Sequence, residues 1–250
     1  QTPFCPEGSS RFEDEEAHGE LASSACSVLM KVLWAARFAR PDLSRPCSKL
    51  TCNVQSWSRN DDKKLRRLIE YMQATKDYVL EGSICDPPDD IELWMFVDAD
   101  LASDPDTSKS SSGAWLVLMG PSICIPISWL FSKQTSTAKS TTEAESVALV
   151  TALLQEAYPL LDLLEVLFDR TVTLRIKEDN TATIKVFRKG YSSKLRHVAR
   201  THKLDLGIIK EALDVQKVQL EHVDTTKQCA DIFTKDLPPH AWPHALNLLG

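Results

Sequence analysis

The sequence predicts an α/β fold in which a five-stranded mixed sheet carries flanking helices and is preceded by a small helical segment. Three observations predict it. Apolar residues recur at helical spacing up to about residue 82, the turn-rich stretch Asp86-Pro87-Pro88-Asp89-Asp90 interrupts that pattern, and beyond it β-rich runs alternate with helical ones. With 250 residues and 43% hydrophobic composition, the chain has room for one large domain, or for one domain and part of a second.

Residues 1–20 are polar, acidic and poor in large apolar groups, so they are expected to form a disordered tail. Residues 21–90 are expected to be a helical segment and its linker, and 91–250 the α/β domain. Leu21 to Leu33 has helical spacing, Pro41 and Pro46 interrupt it, and Asn60-Asp61-Asp62 offers an N-cap for a helix with Leu65, Leu68, Ile69 and Met72 on one face. Leu93–Ala99, Ala114–Met119 and Ile123–Phe131 then read as an antiparallel meander. A long helix begins near Thr141 and is expected to break at Pro159, where a second helix carrying Leu160, Leu161, Leu164 and Leu167 takes over. The rest of the order is a fourth strand Thr171–Lys177, a helix Asn180–Arg188, a helix Thr201–Leu213, a fifth strand Val218–Val223 and a helix near Lys227–Lys235.

Composition narrows the function classes. No apolar run approaches the roughly 18–20 residues of a membrane helix, and residues 1–8 lack a basic region leading into an apolar stretch, so no membrane partner is expected. The seven cysteines are scattered without a Cys-x-x-Cys pair, which argues against a disulfide framework or zinc knuckle and for reduced thiols in an intracellular protein. The net charge of −6 is concentrated at the start, and without residues 1–20 the chain holds 29 acids against 28 bases. Arg188, Lys189, Lys194, Arg196, Arg200 and Lys203 meanwhile form a basic stretch with no acid inside it, a local footprint suited to phosphates, although a solvated loop explains such a run equally well.

Four acids fall where this outline brings elements together. Asp98, in Phe96-Val97-Asp98-Ala99-Asp100, ends a strand apolar enough to be central, where a carboxylate is costly unless it meets a cation or water; a turn-starting Asp is its plainer reading. Glu145 shares a helix face with Ala148, Leu149 and Ala152, which points it at the sheet. Its neighbour Glu143 fits a capping box with Ser140. Asp179 follows the fourth strand, where an N-cap is the ordinary role, and Asp231 has a solvated helix face as its ordinary role.

These acids occur within an ordered set of motifs: Phe96-Val97-Asp98-Ala99-Asp100, Ser110-Ser111-Ser112-Gly113, Ile127-Ser128-Trp129, Ser132-Lys133-Gln134, Ser140-Thr141-Thr142-Glu143-Ala144-Glu145, Asp179-Asn180 and Ala230-Asp231-Ile232-Phe233-Thr234-Lys235. The set resembles the ribonuclease H domain of Ty1/copia-type retrotransposon polyproteins. Ala39-Arg40-Pro41-Asp42-Leu43 and Leu68-Ile69-Glu70-Tyr71-Met72 extend the resemblance upstream, to the stretch after the polymerase palm, and it covers about 230 residues. The resemblance implies a ribonuclease H-like sheet and an endonuclease that hydrolyses the RNA strand of RNA–DNA hybrids. It assigns Asp98, Glu145, Asp179 and Asp231 as catalytic ligands of two Mg²⁺ ions, which Mn²⁺ can replace, in keeping with the preference of Mg²⁺ for oxygen ligands. Expected partners are the hybrid and the remainder of the reverse transcriptase polyprotein, in a cytoplasmic virus-like particle or the nucleus. Gln134, Thr142 and Asn180 are expected to contact RNA, and Arg188, Lys194, Arg196, Arg200 and Lys203 the DNA phosphates.

The match has departures. Thr201-His202-Lys203-Leu204-Asp205 stands where many relatives have Lys-His before an apolar residue and Asp, and the stretch from Asp205 to Val223 is about two residues short. A product-release histidine is therefore open between His197 and His202, each of which also reads as a surface histidine. No Tyr-x-Asp-Asp turn occurs, so DNA polymerisation is not expected. Three other readings stay open here: a catalytically silent transposon-derived scaffold or nucleic-acid-binding domain, an integrase-like nuclease, whose glutamate would come last in sequence, and a zinc enzyme, for which no His/Cys spacing speaks.

Overall fold

A computed structural model describes residues 2–4, 17–83, 85–104, 107–202, 205–214 and 217–250, without the side chain of Lys194. The bulk of the expected acidic tail, Lys203 and the Lys194 side chain thus lie outside the described residues. The chain divides into two compact units, Gln1–Leu80 with Asp236–Asn247, and Glu81–Lys235 with Leu248–Gly250. This division falls after residue 80, ahead of the Asp86–Asp90 linker where the sequence places it, and the segment 236–247 groups with the first helices.

The first unit contains α1 (Ala22–Phe38), α2 (Ser44–Thr51) and α3 (Arg59–Ala74). Pro46 does not interrupt: it is the third residue of α2, where a missing N–H leaves no intrahelical bond unmade. The cap of α3 is Ser58, not the Asn60 region, in a capping box with Asp61. Asp62 ties α3 to the start of α1, accepting bonds from the N–H groups of Glu20 (2.7 Å) and Leu21 (3.1 Å) and from Trp57 Nε1 (2.7 Å).

The second unit is built on β1 (Glu92–Asp100), β2 (Ser111–Met119), β3 (Cys124–Lys133), β4 (Leu174–Glu178) and β5 (Val218–His222), in the order β3-β2-β1-β4-β5. The pairs β3–β2 and β2–β1 are antiparallel, and β1–β4 and β4–β5 are parallel, which makes the predicted five-stranded mixed sheet. Residues alternate along the strands. Leu93, Met95, Val97 and Ala99 of β1 and Leu174 and Ile176 of β4 enter the main apolar core, which α4 (Thr141–Ala152) covers by packing on β1 and β2. The other face of β1 and β2 receives the short helix α9 (Asp231–Thr234), whose Phe233 stacks on Trp115.

Three helical expectations change. The helix beginning at Thr141 does not break at Pro159. Tyr158 N–H donates to Leu153 O, five residues back, and this π turn over Leu153–Ala157 lets the chain run on into α5 (Tyr158–Phe168) with Pro159 at its second position. The resulting helix, Thr141–Phe168, is long and apolar enough to cross a membrane by length and composition, unlike any run expected from the sequence; 50% of its apolar window is buried in the fold. The stretch expected as one helix over Thr201–Leu213 contains the end of α7 (Val198–Thr201) and most of α8 (Gly207–Asp214), with α6 (Thr181–Lys189) before them. The helix expected near Lys227–Lys235 shrinks to a 3-10 turn and α9, and an unforeseen α10 (Trp242–Leu249) ends the chain.

Gly113 makes the approach of α9 possible. It sits opposite Asp98 across the β1–β2 ladder, and a Cβ there would lie 2.7 Å from Thr234 Cγ2 and 2.8 Å from Phe233 Cβ. Gly113→Ala is therefore expected to push α9 off the sheet and to lower stability by about 1–3 kcal/mol. Chemical denaturation checks this; an unchanged midpoint would mean that α9 does not need the close approach.

Candidate active site

The site lies where two strands part. The parallel pairing of β1 with β4 runs from Leu93–Leu174 to Phe96–Lys177, while β1 itself continues to Asp100 beside β2. This opening at the carboxyl ends of parallel strands, where the sheet changes direction of build, is the usual place for a ligand in an open α/β sheet.

Acids reach the opening from both faces. Asp98 points to the α9 side of β1, between core residues Val97 and Ala99 that point the other way. It is 2% exposed and accepts bonds from Thr234 Oγ1 and, at 3.3 Å, from Lys235 Nζ. Asp231, in the first turn of α9, meets the same ammonium at 2.6 Å. Asp179 directly follows β4 and accepts from Thr225 Oγ1 at 3.0 Å. Oxygens of Asp98, Asp179 and Asp231 all lie within 4.8 Å of one another. From the α4 side comes Glu145, 3% exposed, and its oxygen forms a second set within the same 4.8 Å limit with Asp179 and Glu178. All four acids named from the sequence are in these two groups, with Asp179 common to both.

Glu178 was not named from the sequence, although a signal was present. Leu174, Ile176 and Glu178 alternate on β4, so a carboxylate occupies a register position that belongs to the core. Ending the fourth strand at Lys177 concealed it. Lys235 was likewise named only as part of a motif, and it is the cation that balances Asp98 and Asp231.

The electrostatics follow from crowding without enough positive charge. Burial pushes the Glu145 carboxyl up to about 11, and the neighbouring Glu178, Asp98 and Asp179 add to the rise. Burial, partly offset by the Asn180 N–H bond, raises Glu178 to about 8, with Asp179 and Asp98 contributing. Asp231 rises to about 7 through burial and the Asp98 charge, held back by Lys235. Asp98 is raised as well, by burial first, against the pull of Lys235 and Thr234.

Other expected contacts sort differently. Asn180 caps α6, its side-chain oxygen accepting from Ala182 N (3.0 Å) and Thr183 N (3.3 Å), which leaves Asp179 free of the ordinary capping role. Gln134 is a correction: it is buried, and its Nε2 donates to Ser112 Oγ and to Ala144 O, both at 2.9 Å, so it ties β2 and α4 together instead of facing RNA. Thr142 stays half-buried in the first turn of α4. The guanidinium of Arg188 donates to Leu220 O at 3.1 Å, Arg196 is held by Tyr191 Oη at 2.7 Å, and Arg200 is exposed.

Glu143 does not close a capping box. Ser140 Oγ does accept from Glu143 N, but the Glu143 carboxylate is fully buried and accepts from Lys139 N (2.9 Å), while its two oxygens meet His197 Nε2 (3.0 Å) and His202 Nε2 (2.9 Å). Burial alone would raise this carboxyl, yet the Lys139 bond and the imidazoles hold it below the ordinary range. The two histidines thus anchor the basic stretch to the start of α4, two residues from Glu145.

The sign of the pH dependence follows from the raised groups. Without metal, folded Asp231 and Glu178 keep protons that the unfolded chain releases near pH 4, so stability falls as pH rises through about 7 and 8. Glu143 and the other depressed carboxyls are ionised throughout that window and contribute no slope. In a chelator, the melting temperature is expected to drop between about pH 5 and pH 8, and excess Mg²⁺ or Mn²⁺ to raise it more at the upper end. A chelated melting temperature that stays flat or climbs over this range would contradict the reading.

No family model matches the chain. It is 30% identical over 216 residues to the retrovirus-related Pol polyprotein from transposon RE2 of Arabidopsis thaliana, a span that is 85% of this chain and 14% of that polyprotein. The corresponding polyprotein from transposon TNT 1-94 of Nicotiana tabacum is 25% identical over 226 residues, 90% of this chain and 16% of its own length. The solved structure of LC11 ribonuclease H1, isolated from compost, aligns at 16% identity and a TM-score of 0.41, covering 57% of this chain and 92% of that one. The chain therefore spans about one seventh of the curated relatives it matches, and its homologues are the retrovirus-related Pol polyproteins of copia-type transposons.

Proposed function

We propose that this segment is the ribonuclease H part of its polyprotein and hydrolyses the RNA strand of RNA–DNA hybrids with two divalent ions, Mg²⁺ or Mn²⁺ in its place. The observation that carries the reading is the convergence of Asp98, Glu145, Asp179 and Asp231 from β1, α4, the end of β4 and α9 on one sheet opening. The residues fit such ions. The donors are all carboxylate oxygens, and the buried Oε2 atoms of Glu145 and Glu178 have no hydrogen-bond partner among the described residues. When bound there, a metal pair activates water on one side of a phosphate and stabilises the leaving oxygen on the other.

The chain's own residues prepare that chemistry. Thr234 and Lys235 hold Asp98 in place, Thr225 holds Asp179, and the apolar packing of α4 and α9 keeps the carboxylates in a fixed, largely dry frame. Asn180 spends its oxygen on the cap of α6 and has its amide nitrogen left for the RNA strand. The basic stretch anchored by Glu143 supplies the backbone-phosphate contacts.

Asp98→Asn keeps the side-chain shape and removes the charge that a cation needs. Cleavage of a labelled hybrid in Mg²⁺ or Mn²⁺ is expected to fall by several orders of magnitude while hybrid binding persists, and the melting temperature in chelator is expected to hold or rise. Single-stranded RNA and duplex DNA serve as controls. Cleavage by the variant at the native rate would remove Asp98 from the site; a folded native chain that cuts no hybrid would favour a silent scaffold.

Replacing Arg196 and Arg200 together by Ala is expected to weaken hybrid binding and to reduce the slope of log affinity against log salt by about 2, one for each lost phosphate contact. An unchanged slope, measured by fluorescence anisotropy across a salt series, would place the DNA strand elsewhere.

A further inference from the structure

We propose that Glu178 is a fifth carboxylate ligand of the centre, and that with Glu145 and Asp179 it forms a cation subsite of its own on the α4 face of the sheet. This rests on the metal-dependent reading above and deepens it, because the four-acid assignment does not include Glu178.

Three features of Glu178 support the step. It is 0% exposed, yet it sits at a core register position of β4, behind Leu174 and Ile176, where an ionised side chain is costly without a counter-charge. Its two oxygens are used unequally. Oε1 accepts the Asn180 N–H at 3.0 Å, which fixes the rotamer, while buried Oε2 has no partner among the described residues; the carboxylate is grouped with that of Glu145, whose own Oε2 is likewise buried and unpartnered among them. A helix-start contact accounts for the first oxygen only.

The division of charge in the site makes the same point. On the α9 face, Asp98 and Asp231 share the ammonium of Lys235. On the α4 face, Glu145 and Glu178 have no comparable hydrogen-bonded cation among the described residues, and like charges packed this closely persist only when protonated or bridged by a cation. Three carboxylates, Glu145, Glu178 and Asp179, each bring an oxygen within 4.8 Å of the others, and these are the hard donors that Mg²⁺ and Mn²⁺ take.

The test reads metal binding, independently of cleavage. Mn²⁺ is titrated into the full chain, with free Mn²⁺ followed by electron paramagnetic resonance. Glu178→Gln is expected to weaken one bound Mn²⁺ at least tenfold, and the double variant with Glu145→Gln is expected to weaken that same ion further while leaving any other bound Mn²⁺ as in the single variants. Glu178→Cys offers a check on direct ligation that a remote charge effect would not produce. Added Cd²⁺ is expected to give a thiolate-to-metal ultraviolet band that the native chain, with its other cysteines, lacks. A native-like Mn²⁺ isotherm for Glu178→Gln, weakening of a second ion in the double variant, or no extra Cd²⁺ band in Glu178→Cys would each overturn the proposal. A native chain that binds no Mn²⁺ would do so as well. Hybrid cleavage by a native chain whose Glu178→Gln variant binds Mn²⁺ normally would sink this inference and leave the ribonuclease reading standing; the loss of one Mn²⁺ in a chain that cuts nothing would do the reverse.

Discussion

Among the described residues, five carboxylates meet at the end of β4, and one ammonium, that of Lys235, stands against them. That imbalance is the constraint on which the second unit is arranged. Dispersing the acids would relieve it, but they are held by elements that cannot move independently: β1 by the ladders on either side, α4 by the apolar core, α9 by the stacking of Phe233 on Trp115. Raised carboxyl pKa values at Glu145, Glu178 and Asp231 are the visible result. The fold keeps a charge conflict of the kind that a bound divalent cation would remove, and the conflict is held in place by packing energy from the core.

The same logic explains why the sheet opens where it does. Continuing the β1–β4 ladder past Phe96–Lys177 would pair Val97 with Glu178 and Asp98 with Asp179, setting two carboxylates side by side on adjacent strands. The splay instead lets Asp179, just beyond the strand, face both groups of acids. Gly113 contributes from the opposite neighbour of Asp98, since the missing side chain is the space into which Thr234 and Phe233 fit. Backbone pairing, a glycine and a short helix together set the distance between Asp98 and Asp231.

How much of this was legible in the sequence depended on whether a signal was periodic or relational. The five strands were readable because each alternates or is uniformly apolar, and the observed bounds differ from the expected ones by only a few residues. The four acids were readable through ordered motifs, since no acid alone carried its meaning. Pro159 misled because a proline rule assumes an α-helical turn, and the π turn before it supplies different geometry. Gln134 misled for a different reason: a polar residue near a catalytic helix looks like a ligand contact until its amide is found bonded to Ser112 and Ala144. The union of residues 236–247 with the first helices depends on long-range pairs, such as Asp236 with Arg45 and Trp242 with Tyr71, which local spacing cannot encode.

Glu143 shows how far the chemistry of a site reaches beyond its ligands. Local spacing explains Ser140 and the N–H of Glu143, and a capping box completes that picture with no need for the histidines. Burial changes the problem: a fully buried carboxylate needs more partners than one helix end supplies, and His197 and His202 provide them from 54 and 59 residues away. Two residues that the sequence offered as product-release candidates are therefore engaged in a structural link. Because Glu143 and Glu145 share the first turns of α4, the same helix positions both the contact that holds the basic stretch and one carboxylate of the acidic centre.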